Sequence, residues 1–210
     1  MLALAPLLAA VAPATAHAGL YRSSQPEIAA ALELGANGRF HYALDYGAVS
    51  ETAEGVWVAD GSTVRLTSQP LPTAPSFAIV RDLPASPGEL WVELENPGFD
   101  WGGPLEMLLS FDKIVGLVRV TASESGKVET NGGRVTAIRP VVPVYGTIGA
   151  PLALAGERGH RLTIRFLRND LGKARFVSEP LQVTPGGLLL NRYEASIRLD
   201  RVGPPSASGD

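Results

Sequence analysis

The chain has 210 residues, of which 45% are hydrophobic, 19% charged and 7% aromatic, with a formal net charge of -3 at pH 7, 23 glycines, 17 prolines and no cysteine. That composition excludes disorder, a collagen-like fibre, a multi-span membrane protein, a disulfide scaffold, a thiolate-held metal centre and a cysteine nucleophile. Turn formers this frequent, set between short apolar runs, predict an all-β fold.

The first element is a leader. Leu2 to Val11 form an apolar run, and Ala16-His17-Ala18 fits the small-x-small pattern of signal-peptide cleavage. A signal peptide over residues 1–18 is predicted, with a mature chain from Gly19, although no Lys or Arg precedes the apolar run. The run falls short of the ~20 apolar residues that span a bilayer, and with no cysteine there is no lipid attachment point. Export without disulfides predicts a bacterial periplasmic or secreted location.

Ala29 to Ser68 reads as two hairpins, a four-stranded meander. Ala30, Leu32 and Leu34 alternate with polar or small residues, Ala36-Asn37-Gly38 turns, and Phe40, Tyr42, Leu44 and Tyr46 alternate on the way back. A three-residue loop closed by Gly38 in the left-handed region pairs Leu34 with Phe40, Leu32 with Tyr42 and Ala30 with Leu44. It also sets Glu33 opposite His41 on the wet face, whereas a two-residue Asn-Gly turn would mix apolar and polar side chains. For the second hairpin, Asp60-Gly61 as the central residues predicts Trp57 opposite Val64 and Gly55 opposite Leu66.

Ser68 to Pro75 carries three prolines and predicts an extended boundary between sub-domains. Beyond it lie short apolar segments: Phe77 to Val80, Leu90 to Leu94, Leu105 to Phe111, Ile114 to Thr121, Val135 to Ile138, Val141 to Tyr145, Leu162 to Phe166, Ala174 to Val177, Leu181 to Val183 and Leu188 to Leu199. The expected organisation is a signal peptide (1–18), the meander (19–72) packed on an antiparallel β-sandwich or barrel-like domain (73–203), and a disordered tail (204–210).

Two resemblances accompany this pattern. The order of apolar strand, Asn-Gly, aromatic strand, Gly-x-Trp, Asp-Gly and apolar strand over residues 29–68 is similar to lipocalin-like periplasmic meanders. Gly103-Pro104-Leu105, the strand Met107 to Phe111, and Val120-Thr121 followed by Gly126-Lys127-Val128 resemble the carboxypeptidase regulatory-like (transthyretin-like) β-sandwich over residues 90–138. Ala122 stands where that family has an acidic residue, and its later Pro-Ala-Gly-x-Tyr element is absent. The second resemblance implies a structural or adhesion-type module without catalysis.

Candidate chemistry is sparse. After residue 18 the histidines are His41 and His160, and neither a Gly-x-Ser-x-Gly elbow nor His-Glu-x-x-His occurs. His41 and Asp45 share a strand face about 13 Å apart at 3.3 Å per residue, too far to bond. No catalytic residue, metal site or cofactor is assigned, and the chain is read as non-enzymatic. Charge divides unevenly: Gly19 to Leu105 has 4 basic and 11 acidic residues, Glu106 to Asp210 has 14 and 10. Arg158, Arg161, Arg165 and Arg168 form the densest basic run and are candidates for a polyanion such as lipopolysaccharide. An acidic, exported chain argues against nucleic acid. Glu89, Glu93 and Glu95 share a strand face with Trp91, a possible sugar or calcium site.

The leading expectation is an exported, non-catalytic binding or envelope-associated structural module, its partner a cell-envelope polysaccharide, lipopolysaccharide or another protein. One alternative is a lipocalin-like carrier of an apolar ligand lined by Phe40, Tyr42, Tyr46 and Trp57. Another is a carbohydrate-binding or carbohydrate-active domain built on Trp91 and Trp101, for which at least one of those tryptophans must stand at the surface beside carboxylates.

Overall fold

The computed structural model describes residues 14–95, 103–142 and 144–205. The leader's apolar run, Trp101 and residues 206–210 of the expected tail lie outside the described residues. The fold is all-β, as the two-residue periodicity predicts, and it divides into two compact units: residues 1–72 with 172–210, and Thr73–Leu171.

The first unit is a closed eight-stranded antiparallel barrel. Its strands are β1 (Gly19–Arg22), β2 (Ile28–Leu34), β3 (Arg39–Tyr46), β4 (Val49–Asp60), β5 (Thr63–Ser68), β15 (Glu179–Thr184), β16 (Gly187–Arg192) and β17 (Ala195–Gly203), closing in the order β1-β17-β16-β15-β5-β4-β3-β2. The first hairpin has the predicted register, Leu34↔Phe40, Leu32↔Tyr42, Ala30↔Leu44 and Glu33↔His41, with Gly38 at φ +77°. The second hairpin differs. Trp57 faces Leu66, Gly55 faces Ser68 and Asp60 faces Thr63, because Gly61 (φ +58°) and Ser62 are the central pair. A turn that needs positive φ only at its first central position takes glycine there. The difference is an even step in pairing, so every side chain keeps its face.

That conserved face is the core. Leu32, Leu34, Phe40, Tyr42, Trp57, Val64 and Leu66 from the meander meet Leu181, Leu188, Leu190, Ile197 and Leu199 from the C-terminal strands in one buried cluster. Gly55 is required within it: a Cβ there would run into the Thr67 carbonyl oxygen and press on the Phe40 ring.

The C-terminal third therefore departs from the expected organisation. A sandwich running to residue 203 and a meander packed on it are replaced by a barrel into which residues 73–171 are inserted. The units divide after Pro72, within the proline-rich segment, and again before Gly172, where no composition change marks the return. Ala174 to Val177 is no strand but a joint in the wall. Thr52 N–H donates to Gly172 O (2.9 Å), Ala174 N–H to Thr52 O (2.7 Å), and Ser68 Oγ both donates to Ala174 O (2.9 Å) and accepts from Phe176 N–H (3.0 Å). These bonds cover the part of β4 that β5 does not reach and drive Phe176 fully into the core, its ring 5.1 Å from that of Tyr42. The apolar run Leu188 to Leu199 is two strands, not one. Its turn is Tyr193-Glu194, both left-handed at φ 50° and 61°, a conformation that non-glycine residues rarely take.

The second unit has two sheets over one core. The first, ordered β10-β7-β14-β6, comprises β6 (Ser76–Ala85), β7 (Leu90–Leu94), β10 (Lys127–Val128) and β14 (Gly159–Leu167); β14 runs parallel to β7. The second comprises β8 (Glu106–Phe111), β9 (Val118–Thr121), β11 (Val135–Val142), β12 (Thr147–Ile148) and β13 (Leu152–Ala153). Leu90, Val92, Leu162 and Ile164 of one sheet and Met107, Leu109, Ile138 and Val142 of the other share the buried cluster. Pro84 sits in β6, the edge of its sheet, where a missing donor costs no ladder bond. The chain ends of this unit are tied together: Thr73 N–H donates to Asp170 Oδ2 (3.0 Å) and Asp170 N–H to Thr73 O (3.1 Å).

Candidate functional site

The aromatic residues read as a cavity lining fill the barrel instead. Tyr42 and Trp57 are 3% and 2% exposed, and Tyr46 packs half-buried against the same cluster. Trp57 Nε1–H donates to Gly35 O at 2.9 Å, which satisfies its one polar atom. A groove of about 310 Å³ opens beside Tyr42, lined by His41, Glu54, Pro70, Pro72 and Lys173 among others, and Trp57 takes no part in it.

The strongest electrostatic feature of the barrel was missed from sequence. Glu51, 3% exposed, accepts from Tyr42 Oη (3.1 Å), Tyr193 Oη (2.7 Å) and Arg192 Nη2 (2.6 Å), with Arg192 Nε closing a two-point ion pair. Arg192 also lies 5.1 Å over the Phe176 ring and 4.9 Å over that of Tyr193. The signal was parity: Glu51 falls on the same strand face as Gly55 and Trp57, so a strand started at Val49 rather than Glu54 points it inward. Burial works against the charge of Arg192, but Glu51 outweighs it and holds the guanidinium more firmly protonated than usual. Every acceptor position of this carboxylate is taken up by the barrel's own donors, the signature of a structural cluster.

Burial, reinforced by Glu51, raises the pKa of Tyr42 and of Tyr193 well above the ordinary phenol value. A raised folded value means that stability is complete below the unfolded value, about pH 10, and declines as pH rises beyond it. Each such tyrosine removes about 1.4 kcal/mol per pH unit in that window. Denaturant titrations at successive pH values above 10 are expected to show this decline, less steep in Tyr42→Phe; equal slopes would contradict the assignment.

The predicted arginine patch does not assemble. Arg158 pairs with Asp82 (2.9 Å), Arg165 forms a two-point pair with Glu95, and Arg168 lies exposed past the end of β14. Asp82 also receives the buried His160, whose Nδ1 lies 3.0 and 3.1 Å from its two oxygens. A histidine held by a carboxylate is the orienting half of acyl-transfer machinery, which needs a hydroxyl or thiol on the other ring nitrogen. None hydrogen-bonds it among the described residues, and the chain has no thiol.

Arg161 is different. On the outer face of the β7–β14 sheet, the pairing sets Leu83, Arg161, Trp91 and Lys127 in one row across four strands. Trp91 is half-buried, with the Arg161 guanidinium 4.4 Å and the Lys127 ammonium 6.0 Å from its ring centre. The neighbouring row is Arg81, Thr163 and Glu93. Together Arg81, Trp91, Glu93, Ser125, Arg161 and Thr163 line a groove of about 180 Å³. Of the expected carboxylate row only Glu93 belongs to it; Glu95 is held by Arg165, and Glu89 accepts from Ser86 N–H at 3.4 Å. The indole Nε1–H is covered and has no acceptor among the described residues.

No family model, curated protein or solved structure matches this chain. The functional reading therefore rests on the side chains themselves. No group of three or more metal-binding side chains is assembled among the described residues, and no described helix is long and apolar enough to cross a membrane.

Proposed function

We propose that the chain is an exported, non-catalytic binding module of the bacterial cell envelope that recognises an envelope glycan, free or as lipopolysaccharide, through the outer face of β7 and β14. The observation that carries this reading is Trp91. It stands on the outside of a sheet beside Glu93, Arg81 and Arg161, and its covered N–H has no acceptor among the described residues. A tryptophan placed for packing alone is more economically turned to the core, as Trp57 is in the barrel. The non-catalytic reading is supported by the chemistry of the buried groups: Glu51 is saturated by its neighbours, and His160 pairs with a carboxylate and hydrogen-bonds no nucleophile among the described residues. Small-molecule sites combine an aromatic surface with a few polar side chains that fix the ligand's orientation, and Trp91 with Glu93, Arg81 and Arg161 offers both.

The test is an array of bacterial polysaccharides and lipopolysaccharides probed with the purified protein, run beside hydrolysis assays on glycan, ester and peptide substrates. Binding that weakens in Trp91→Ala, without turnover, is the expected result. Turnover of any of the three substrate classes, or an array signal indifferent to Trp91, would defeat the reading.

A further inference from the structure

The same groove carries a more specific assignment, which rests on the reading above. We infer that its ligand is an acidic sugar, a saccharide bearing a carboxylate, in which Arg161 and Arg81 hold the carboxylate and Glu93 receives sugar hydroxyls.

The Arg161 guanidinium lies 4.4 Å over the Trp91 ring. A guanidinium stacked on an aromatic face keeps its N–H fork at the periphery, fixed in direction and available for a planar, two-oxygen anion. Neither Arg161 nor Arg81 forms an ion pair among the described residues, although Glu95, held by Arg165, lies within electrostatic reach of Arg81; their neighbours Arg158 and Arg165 are both paired. Arg81 and Arg161 occupy diagonal positions on paired strands, since Arg161 faces Leu83 and Arg81 faces Thr163. Diagonal neighbours are about 7–8 Å apart at the backbone, so two long side chains can converge on one anion. Lys127, on the far side of Trp91, adds a third positive charge.

Glu93 then selects among anions. It lines the groove with the arginines. It opposes a compact, fully charged group such as a phosphate, and it accepts hydrogen bonds from a ligand that presents hydroxyls beside its acid group. Thr163 and Ser125 supply further donors and acceptors on the same wall. A carboxylate with adjacent hydroxyls is the chemistry of a uronic acid. A single aromatic ring gives no succession of stacking platforms for a nucleic-acid strand.

Isothermal titration of the full chain with trigalacturonate, maltotriose and inorganic polyphosphate tests this. Trigalacturonate is expected to bind, maltotriose to bind at least about tenfold more weakly, and polyphosphate to fall below trigalacturonate at physiological salt. Arg161→Ala is expected to cost about tenfold or more in trigalacturonate affinity. Arg161→Lys should not restore it, because an ammonium lacks the planar fork. Glu93→Ala should raise polyphosphate binding while lowering that of trigalacturonate. Far-ultraviolet circular dichroism identical to the parent checks each variant's fold. Trigalacturonate affinity unchanged in Arg161→Ala, or polyphosphate bound as tightly as the uronate, overturns the inference. If the array above finds glycans that depend on Trp91 while trigalacturonate does not bind, this assignment falls and the binding-module reading stands; if no glycan binds at all, both fall.

Discussion

A chain ending at Leu171 is expected to lose the barrel entirely while retaining the inserted sandwich. Three of the eight barrel strands lie beyond that point, and with them go Leu181, Leu188, Leu190, Ile197 and Leu199, each fully buried, and the wall joint with Phe176. Burying one such side chain is worth about 1.5–3 kcal/mol. Five of them alone approach or exceed the whole stability of an ordinary domain, about 5–15 kcal/mol. What remains, β1 to β5, would be an open sheet with Phe40, Tyr42 and Trp57 facing water and two unpaired edges. The insert depends on none of this. It has its own buried cluster, and its ends are clasped by the reciprocal Thr73–Asp170 bonds. Limited proteolysis followed by mass measurement should therefore leave a core near residues 73–171. The reciprocal deletion, Pro72 joined to Gly172 through a short flexible linker, should keep cooperative unfolding and the buried emission of Trp57. Survival of a protected meander in the truncated chain would contradict the assignment of the C-terminal strands to the barrel wall.

Why the meander was legible and its closure was not follows from the range over which each signal acts. Leu32, Phe40 and Tyr42 announce their face by alternation, and Gly38 fixes their partners within ten residues, so register and burial are both readable locally. The pairing of β1 with β17 joins positions at opposite ends of the chain, and no local pattern in Gly19–Arg22 specifies Arg201 as a partner for Tyr21. Alternation in Leu188 to Leu199 marks the strands, but Tyr193-Glu194 carries none of the usual turn residues. The turn is held in its left-handed conformation by a distant contact, the Tyr193 hydroxyl on Glu51. Sites behave alike. Trp91 and Arg161 were singled out as separate candidates from their own strands, and the parallel pairing of β7 with β14 is what stacks one on the other. Arg81 and Lys127 went unnoticed because each lies on a different strand from the rest. The arginine run failed as a patch for the converse reason: proximity in sequence says nothing of Asp82 and Glu95, which arrive from other strands to neutralise Arg158 and Arg165.

Glu51→Ala is expected to cost the barrel about 3–5 kcal/mol, the range for removing one partner of a buried ion pair. The loss is more than one bond. Arg192 would keep its charge against the Phe176 ring with no counter-charge, and the hydroxyls of Tyr42 and Tyr193 would lose their acceptor together. Its side chain is 21% exposed, against 3% for Glu51, so the guanidinium can turn partly to water, which favours the lower end of the range. Because Tyr193 anchors an unfavourable turn through Glu51, the substitution also releases the β16–β17 hairpin, and its amide protection against hydrogen exchange should fall with the global stability. Glu51→Gln retains acceptor and shape but not charge and should fall between the parent and Glu51→Ala. The combination of Glu51→Leu with Arg192→Met and Tyr42→Phe removes both charges and one hydroxyl at similar volume; apolar replacement of a whole buried pair is often neutral or better, so this variant should be more stable than Glu51→Ala by at least about 1–2 kcal/mol. Urea titration of the four proteins decides the matter. A single substitution costing under about 1 kcal/mol, the range of exposed pairs, would mean that water and not the barrel satisfies Arg192.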